Sequence, residues 1–114
     1  MENTFELKKI GGQNRPIRIT YGVIFRTATD LKLKNLSELD KLSSSDITKF
    51  NDFLICLYFY GLKAGAKANS TNFTNSKEDV KDWLFDLDMT ELTDLEYFKG
   101  NTELDDGLKP SEKN

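Results

Sequence analysis

The eight residues Phe53-Leu54-Ile55-Cys56-Leu57-Tyr58-Phe59-Tyr60 carry no charge, and they sit inside a helical pattern running from about Asp46 to Lys67. Side chains three and four apart on a helix are neighbours. Ile47, Phe50, Leu54, Leu57 and Gly61 make one stripe; Ile55, Phe59 and Leu62 make a second; Phe53, Cys56 and Tyr60 make a third. A helix that is apolar on every side is either wrapped by the rest of its domain or leaves a face for a partner. This one is too short to cross a bilayer, which takes about 20 apolar residues. The remaining chain must therefore supply covering layers. The side with Cys56 and Tyr60 is the hardest to cover in 114 residues. A working face on this helix is expected to include Tyr60, and full burial of Tyr60 would refute it.

The covering elements are legible on both sides of the run. Thr4 to Ile10 alternates, with Phe5 and Leu7 opposite Glu6 and Lys8. Arg15 to Thr20 alternates again, with Ile17 and Ile19 opposite Arg18 and Thr20, and Gly11-Gly12-Gln13-Asn14 lies between as a turn. This reads as a β-hairpin, with Pro16 tolerable on an edge. A lone hairpin is marginal in water, so Phe5, Leu7, Ile17 and Ile19 are expected to pack on the helices. Tyr21 to about Lys32 reads as a first helix capped by Thr20, its inner face Tyr21, Ile24, Phe25, Ala28 and Leu31. Asn35 to Leu42 holds a short turn capped by Ser37, with Leu36, Leu39 and Leu42 inward. Ser44 or Ser45 caps the central helix, where Asp46 suits the positive end of the dipole. Gly61 and Gly65 are expected to loosen its C-terminal end, with Lys63 to Lys67 fraying.

Ala68 to Asn75 is a polar loop anchored by Phe73. Ser76, followed by Glu78 and Asp79, opens another helix with the stripe Val80, Trp83, Leu84 and Leu87. Thr90 caps a last short helix whose face is Leu92, Leu95 and Phe98, with Gly100 as its stop. The expected fold is α+β, mainly α: an N-terminal β-hairpin packed on a small bundle of three to five helices around the central apolar helix. Residues 1–100 are expected to form a single domain, and residues 101–114, charged and nearly devoid of apolar side chains, are expected to form a disordered tail.

The chemistry of catalysis is sparse. There is no His, which removes the commonest general base and metal ligand. The single Cys56 has no second thiol for a disulfide or zinc site and reads as a buried, inert thiol of a reducing compartment. Gly11-Gly12 lacks phosphate-loop spacing. The pairs Glu78-Asp79 and Asp105-Asp106 are adjacent in sequence and point apart, unlike the opposed carboxylates of a glycosidase. No enzyme, cofactor or metal site is expected. No secretion signal is evident, so Asn35-Leu36-Ser37, Asn69-Ser70-Thr71 and Asn72-Phe73-Thr74 read as chance matches to the glycosylation pattern.

The net charge of −3 conceals an asymmetry: residues 1–75 hold 11 Lys/Arg against 7 Asp/Glu, and residues 76–114 hold 5 against 12. Lys8, Lys9, Arg15, Arg18 and Arg26, with Tyr21 nearby, make a candidate nucleic-acid patch on the hairpin and first helix. A solvated strand face explains the same residues, and the overall acidity argues against nucleic acid as the partner. Trp83 falls on a stripe expected to be core, but Trp is also enriched among interface anchors. Phe85 lies off that stripe.

The order and size of these elements resemble the tail assembly chaperones of long-tailed bacteriophages. The residues that carry the resemblance are the hairpin turn Gly11 to Asn14, the helix start Tyr21-Gly22-Val23-Ile24-Phe25-Arg26, the apolar helix Phe53 to Leu62 after a serine-rich break, and the amphipathic acidic helix Glu78 to Leu87. It covers roughly residues 4–100. It implies a non-enzymatic, mostly helical protein of the host cytoplasm that binds the hydrophobic tape measure protein and helps tail tube subunits polymerise around it. It brings no residue roles with it. From the residues themselves, Tyr58, Tyr60, Trp83 and Phe85 are the candidate partner-binding side chains, since a holdase needs exposed apolar surface on a soluble scaffold. No membrane partner is expected, and homo-oligomerisation is left open. The alternative is a small acidic inhibitor or regulator that binds a host protein through the C-terminal half, or a nucleic-acid-binding accessory protein.

Overall fold

The computed structural model describes residues 4–35, 37, 38, 41 and 47–99. An antiparallel hairpin of β1 (Glu6–Ile10) and β2 (Gln13–Ile17) leads into helices that include, among the described residues, α1 (Tyr21–Asp30), α2 (Ile47–Ala68), α3 (Lys77–Phe85) and the short α4 (Met89–Leu92). The fold is α+β, mainly α. Strand β2, α1 and α3 each pack on α2. Leu54, Leu57, Tyr58 and Leu62 of α2 are buried against Ile10, Ile17, Val23, Val80, Leu84 and Leu95.

The hairpin turn is shorter than its sequence suggested. Gly11 and Gly12 both have positive φ, +64° and +84°, and they alone form the turn; Gln13 and Asn14 belong to β2. Two positive-φ positions are what the tight hairpin turn matching strand twist requires. The turn fixes the register from Ile10 opposite Gln13 to Glu6 opposite Ile17. In a strand, parity decides the face, so Glu6, Lys8 and Ile10 share the inner side with Ile17. The expectation that Phe5 and Leu7 pack inward is corrected: Leu7 is 63% exposed and Phe5 lies at the surface.

Two polar residues hold the inner side of β1 because the C-terminal segment satisfies them. The Lys8 ammonium donates to the carbonyl oxygens of Glu91 and, at 3.2 Å, of Asp94. These carbonyls lie at the C-terminal end of α4, where a cation meets the negative end of the helix dipole. The Glu6 carboxylate accepts the Glu96 backbone N–H at 3.0 Å.

Gly61 and Gly65 do not loosen α2; they let β2 lie against its backbone. A Cβ on Gly61 would come 2.7 Å from Ile19 Cδ1, and one on Gly65 would run into the Pro16 backbone. The Arg18 N–H donates to the Gly61 carbonyl at 3.0 Å, joining strand and helix directly. Instead of fraying, α2 ends in a defined C-cap. Ser70 takes φ +58° and donates to the Lys67 carbonyl at 3.1 Å, while Thr71 N–H reaches the Ala66 carbonyl at 2.8 Å.

Thr20 caps α1 as expected, accepting the Val23 N–H at 3.2 Å. The inner face of α1 is rotated from the expected one. Val23 and Thr27 are buried, Ile24, Ala28 and Leu31 lie at its margins, and Tyr21 and Phe25 are exposed. Thr27 is admitted to the core because its hydroxyl donates to the Val23 carbonyl at 2.8 Å, leaving no unsatisfied polar group. Ser76 caps α3 in a reciprocal box with Asp79. The cap of α4 is Asp88, boxed with Glu91, and not Thr90. Leu95 is fully buried, as its stripe predicts. The inward leucines at 36, 39 and 42, the caps at 44–46, the stop at 100 and the tail 101–114 lie outside the described residues.

Two substitutions test this packing by thermal unfolding. Lys8→Met strands the Glu91 and Asp94 carbonyls and should cost about 1–3 kcal/mol, whereas Lys9→Met on the outer side should stay within about 0.5 kcal/mol of the parent. Gly65→Ala forces the helix and β2 apart and should cost about 1–3 kcal/mol; an unchanged melting temperature would contradict the close approach.

Candidate functional site

The four aromatic residues singled out from the sequence separate into three environments. Tyr58 is fully buried and is corrected as a partner-binding residue: its ring is core, and its hydroxyl donates to the Leu92 carbonyl at 2.7 Å. Burial also raises the hydroxyl's pKa above that of an ordinary tyrosine. Phe85 is 60% exposed, with the Lys81 ammonium 5.8 Å from its ring centre. Tyr60 and Trp83, 23 positions apart, are brought into one row of half-buried rings.

That row runs Tyr60–Phe59–Phe73–Trp83, with successive centroid distances of 5.2, 6.2 and 6.3 Å and edge-to-face geometry throughout. Cations line it. The Arg15 guanidinium sits 4.2 Å from the Trp83 ring, Lys63 5.0 Å from Phe59, Lys77 5.2 Å from Tyr60, and Arg26 5.9 Å from Tyr60. Partly exposed cation–π contacts contribute about 0.5–1 kcal/mol each. Arg15 is itself aimed by a 2.9 Å bond from its Nε to the Ile10 carbonyl. The turn glycine Gly11 lies directly beneath the indole, where a Cβ would come within 2.6 Å of it. Trp83 is thus seated between the hairpin turn and Phe73.

Tyr60 is partly buried and retains part of its surface. Its hydroxyl donates to Asp30 Oδ2 at 2.6 Å, and the same oxygen pairs with the Lys77 ammonium. The cluster ties α1, α2 and α3 together. Burial alone would raise the Asp30 pKa; the bonds from Lys77 and Tyr60 and the charge of Lys77 outweigh it and hold the carboxyl below its usual value. The bond to Asp30, then burial, raises the Tyr60 hydroxyl.

On the other side of Tyr60 a groove of about 600 Å³ opens between α1 and the C-terminal half of α2. Arg18 and Arg26 stand on one wall and Lys63 and Lys67 on the other, and none of its lining residues is acidic. The five-residue basic patch expected on the hairpin is therefore divided. Lys8 goes to the C-terminal carbonyls and Arg15 to Trp83, while Arg18 and Arg26 join two lysines of α2. Nothing local in the sequence signals this. The two halves are more than 35 positions apart and meet only because α1 folds back along α2.

Two other surfaces stand out. Tyr21 and Phe25 stack on the outer side of α1 with centroids 6.3 Å apart, and Phe85 and Met89 are exposed at the junction of α3 and α4. Glu78, Asp82, Asp86, Asp88, Glu91, Asp94 and Glu96 are exposed along α3, α4 and the turn that follows. Cys56 is buried, which raises its thiol pKa, although the charge of Lys77 opposes the rise. Among the described residues no group of three or more His, Cys, Asp or Glu is placed to hold a metal ion, and no helix is long and apolar enough to cross a membrane.

Asp30→Asn should cost less than about 1 kcal/mol at neutral pH, because the pair is partly exposed. The folded carboxyl titrates below its unfolded value of about 3.9, so the stabilisation is complete above that pH and fades as pH falls through the folded value. The gap in melting temperature between parent and variant should therefore close on acidification; a gap that persists at low pH would exclude the charge pair as its source. Comparison with protein-family models, with curated proteins and with solved structures found no match to this chain.

Proposed function

We propose that this protein is a non-enzymatic assembly chaperone of the phage-tail type, acting in the host cytoplasm on the hydrophobic tape measure protein or tail tube subunits. The observation that carries the reading is the exposed apolar surface of Tyr21, Phe25, Phe85 and Met89, to which Leu7 and Ile47 add exposed side chains elsewhere. The expected side chain Tyr58 is unavailable, and α1 presents Tyr21 and Phe25 in its place. Rings stacked in advance lose little conformational freedom on docking against an apolar helix. The acidic outer surface of α3 and α4 keeps such a complex soluble.

Co-expression with a tape measure protein tests the reading. The partner's soluble fraction should rise and the two should co-purify. Tyr21→Ser/Phe25→Ser should abolish both effects while leaving the melting temperature nearly unchanged, since these side chains are outside the core. Unchanged partner solubility would end the proposal.

The row of seven exposed carboxylates favours a second reading, an acidic regulator of a basic host protein. It requires binding that weakens steeply with salt; salt-insensitive capture by the Tyr21–Phe25 face separates the two.

A further inference from the structure

We infer that the groove between α1 and α2 binds the phosphate backbone of a single-stranded nucleic acid. Its walls carry four cations, Arg18, Arg26, Lys63 and Lys67, in a molecule with 19 acidic residues and net charge −3. None of the four forms an ion pair with a carboxylate among the described residues. Like charges around one concavity repel, and the low-dielectric walls focus their field. An anion in the groove relieves that repulsion, and among the described residues no carboxylate lines it. Asp30, which approaches the rim through Tyr60, is neutralised by Lys77.

The groove suits a chain of phosphates, although its guanidinium groups would pair with carboxylate oxygens as well. Guanidinium groups match phosphate oxygens in pairs. Lys63 and Lys67, one helical turn apart, face the same way. The N-terminal end of α1 adds its positive dipole from the same wall, with Gly22 placing no side chain over it. The groove is partly open to solvent, and the partly exposed Tyr60 ring on its lining offers a base a stacking surface. The overall acidity that argued against nucleic acid from sequence does not apply locally, because none of the described lining residues is acidic. This site uses different residues from the Tyr21–Phe25 face, so either reading can fail alone.

The test is fluorescence anisotropy of a labelled oligothymidylate of about 12 nucleotides with the full chain, titrated with salt. Four phosphate contacts on a single strand predict a log–log salt slope of about −3. Arg18→Gln/Arg26→Gln and Lys63→Gln/Lys67→Gln, on separate elements, should each weaken binding by about tenfold or more. Lys9→Gln/Lys34→Gln, which removes equal charge elsewhere, should leave it unchanged. Circular dichroism melting checks that each variant is folded, and either groove variant suffices if the other unfolds. No anisotropy rise at low salt, or equal weakening in the Lys9/Lys34 variant, overturns the inference. Displacement by polyglutamate as effective as by unlabelled oligonucleotide assigns the groove to acidic peptide and also overturns it. Displacement by pyrophosphate at equal phosphate concentration reassigns it to a small phosphate ligand, with the same consequence.

Discussion

The contact of helix backbone with strand backbone at Gly61 and Gly65 sets the geometry from which the rest of the molecule follows. Without side chains at these two positions, Pro16 and Ile17 lie directly on α2, and the Arg18 amide bonds to the Gly61 carbonyl. The hairpin is thereby fixed along the C-terminal half of α2. Its turn then reaches α3, where Gly11 lies under Trp83, and its exit at Thr20 starts α1. Three covering layers for an apolar helix are arranged by one close approach.

A domain of this size has a modest hydrophobic core, and polar bonds complete it. Lys8, Glu6 and Tyr58 each reach into the segment from Met89 to Lys99, where they meet backbone carbonyls or an amide. The C-terminal segment is thus held by its main chain more than by its charges. In the ion pair Lys77–Asp30, which joins the basic first part to the acidic last part, the cation comes from the acidic part and the carboxylate from the basic part. Most of the acidic run is left facing solvent, where it is available to a partner or to solubility.

Helix α1 separates two surfaces of different chemistry. Arg26 turns toward the groove and Tyr60, while Phe25, its neighbour in sequence, points outward to stack on Tyr21. The hundred-degree step between adjacent helical residues is enough to divide them. A rotation of α1 like the one inferred from hydropathy would have buried both rings and brought Val23 and Thr27 to the surface. The core chose Val23 and Thr27 because the threonine hydroxyl can be satisfied within its own helix.

The sequence by itself determined the elements. The apolar run at Phe53–Tyr60 demanded a central helix, the two glycines with flanking alternation demanded a hairpin, and Thr20 and Ser76 marked helix starts. These are local signals, fixed by side-chain period and capping chemistry over a few residues. It also singled out the side with Cys56 and Tyr60 as the hardest to cover, yet Cys56 is buried and only Tyr60 keeps part of its surface. Only the tertiary structure decided which way each element faces. The two-residue turn set strand parity and so placed Lys8 inward and Leu7 outward; packing on α2 rotated α1; a carbonyl at Leu92 drew Tyr58 into the core. The groove of Arg18, Arg26, Lys63 and Lys67 was invisible for the same reason. It exists because two distant segments lie side by side, and no periodicity within either one records that they do.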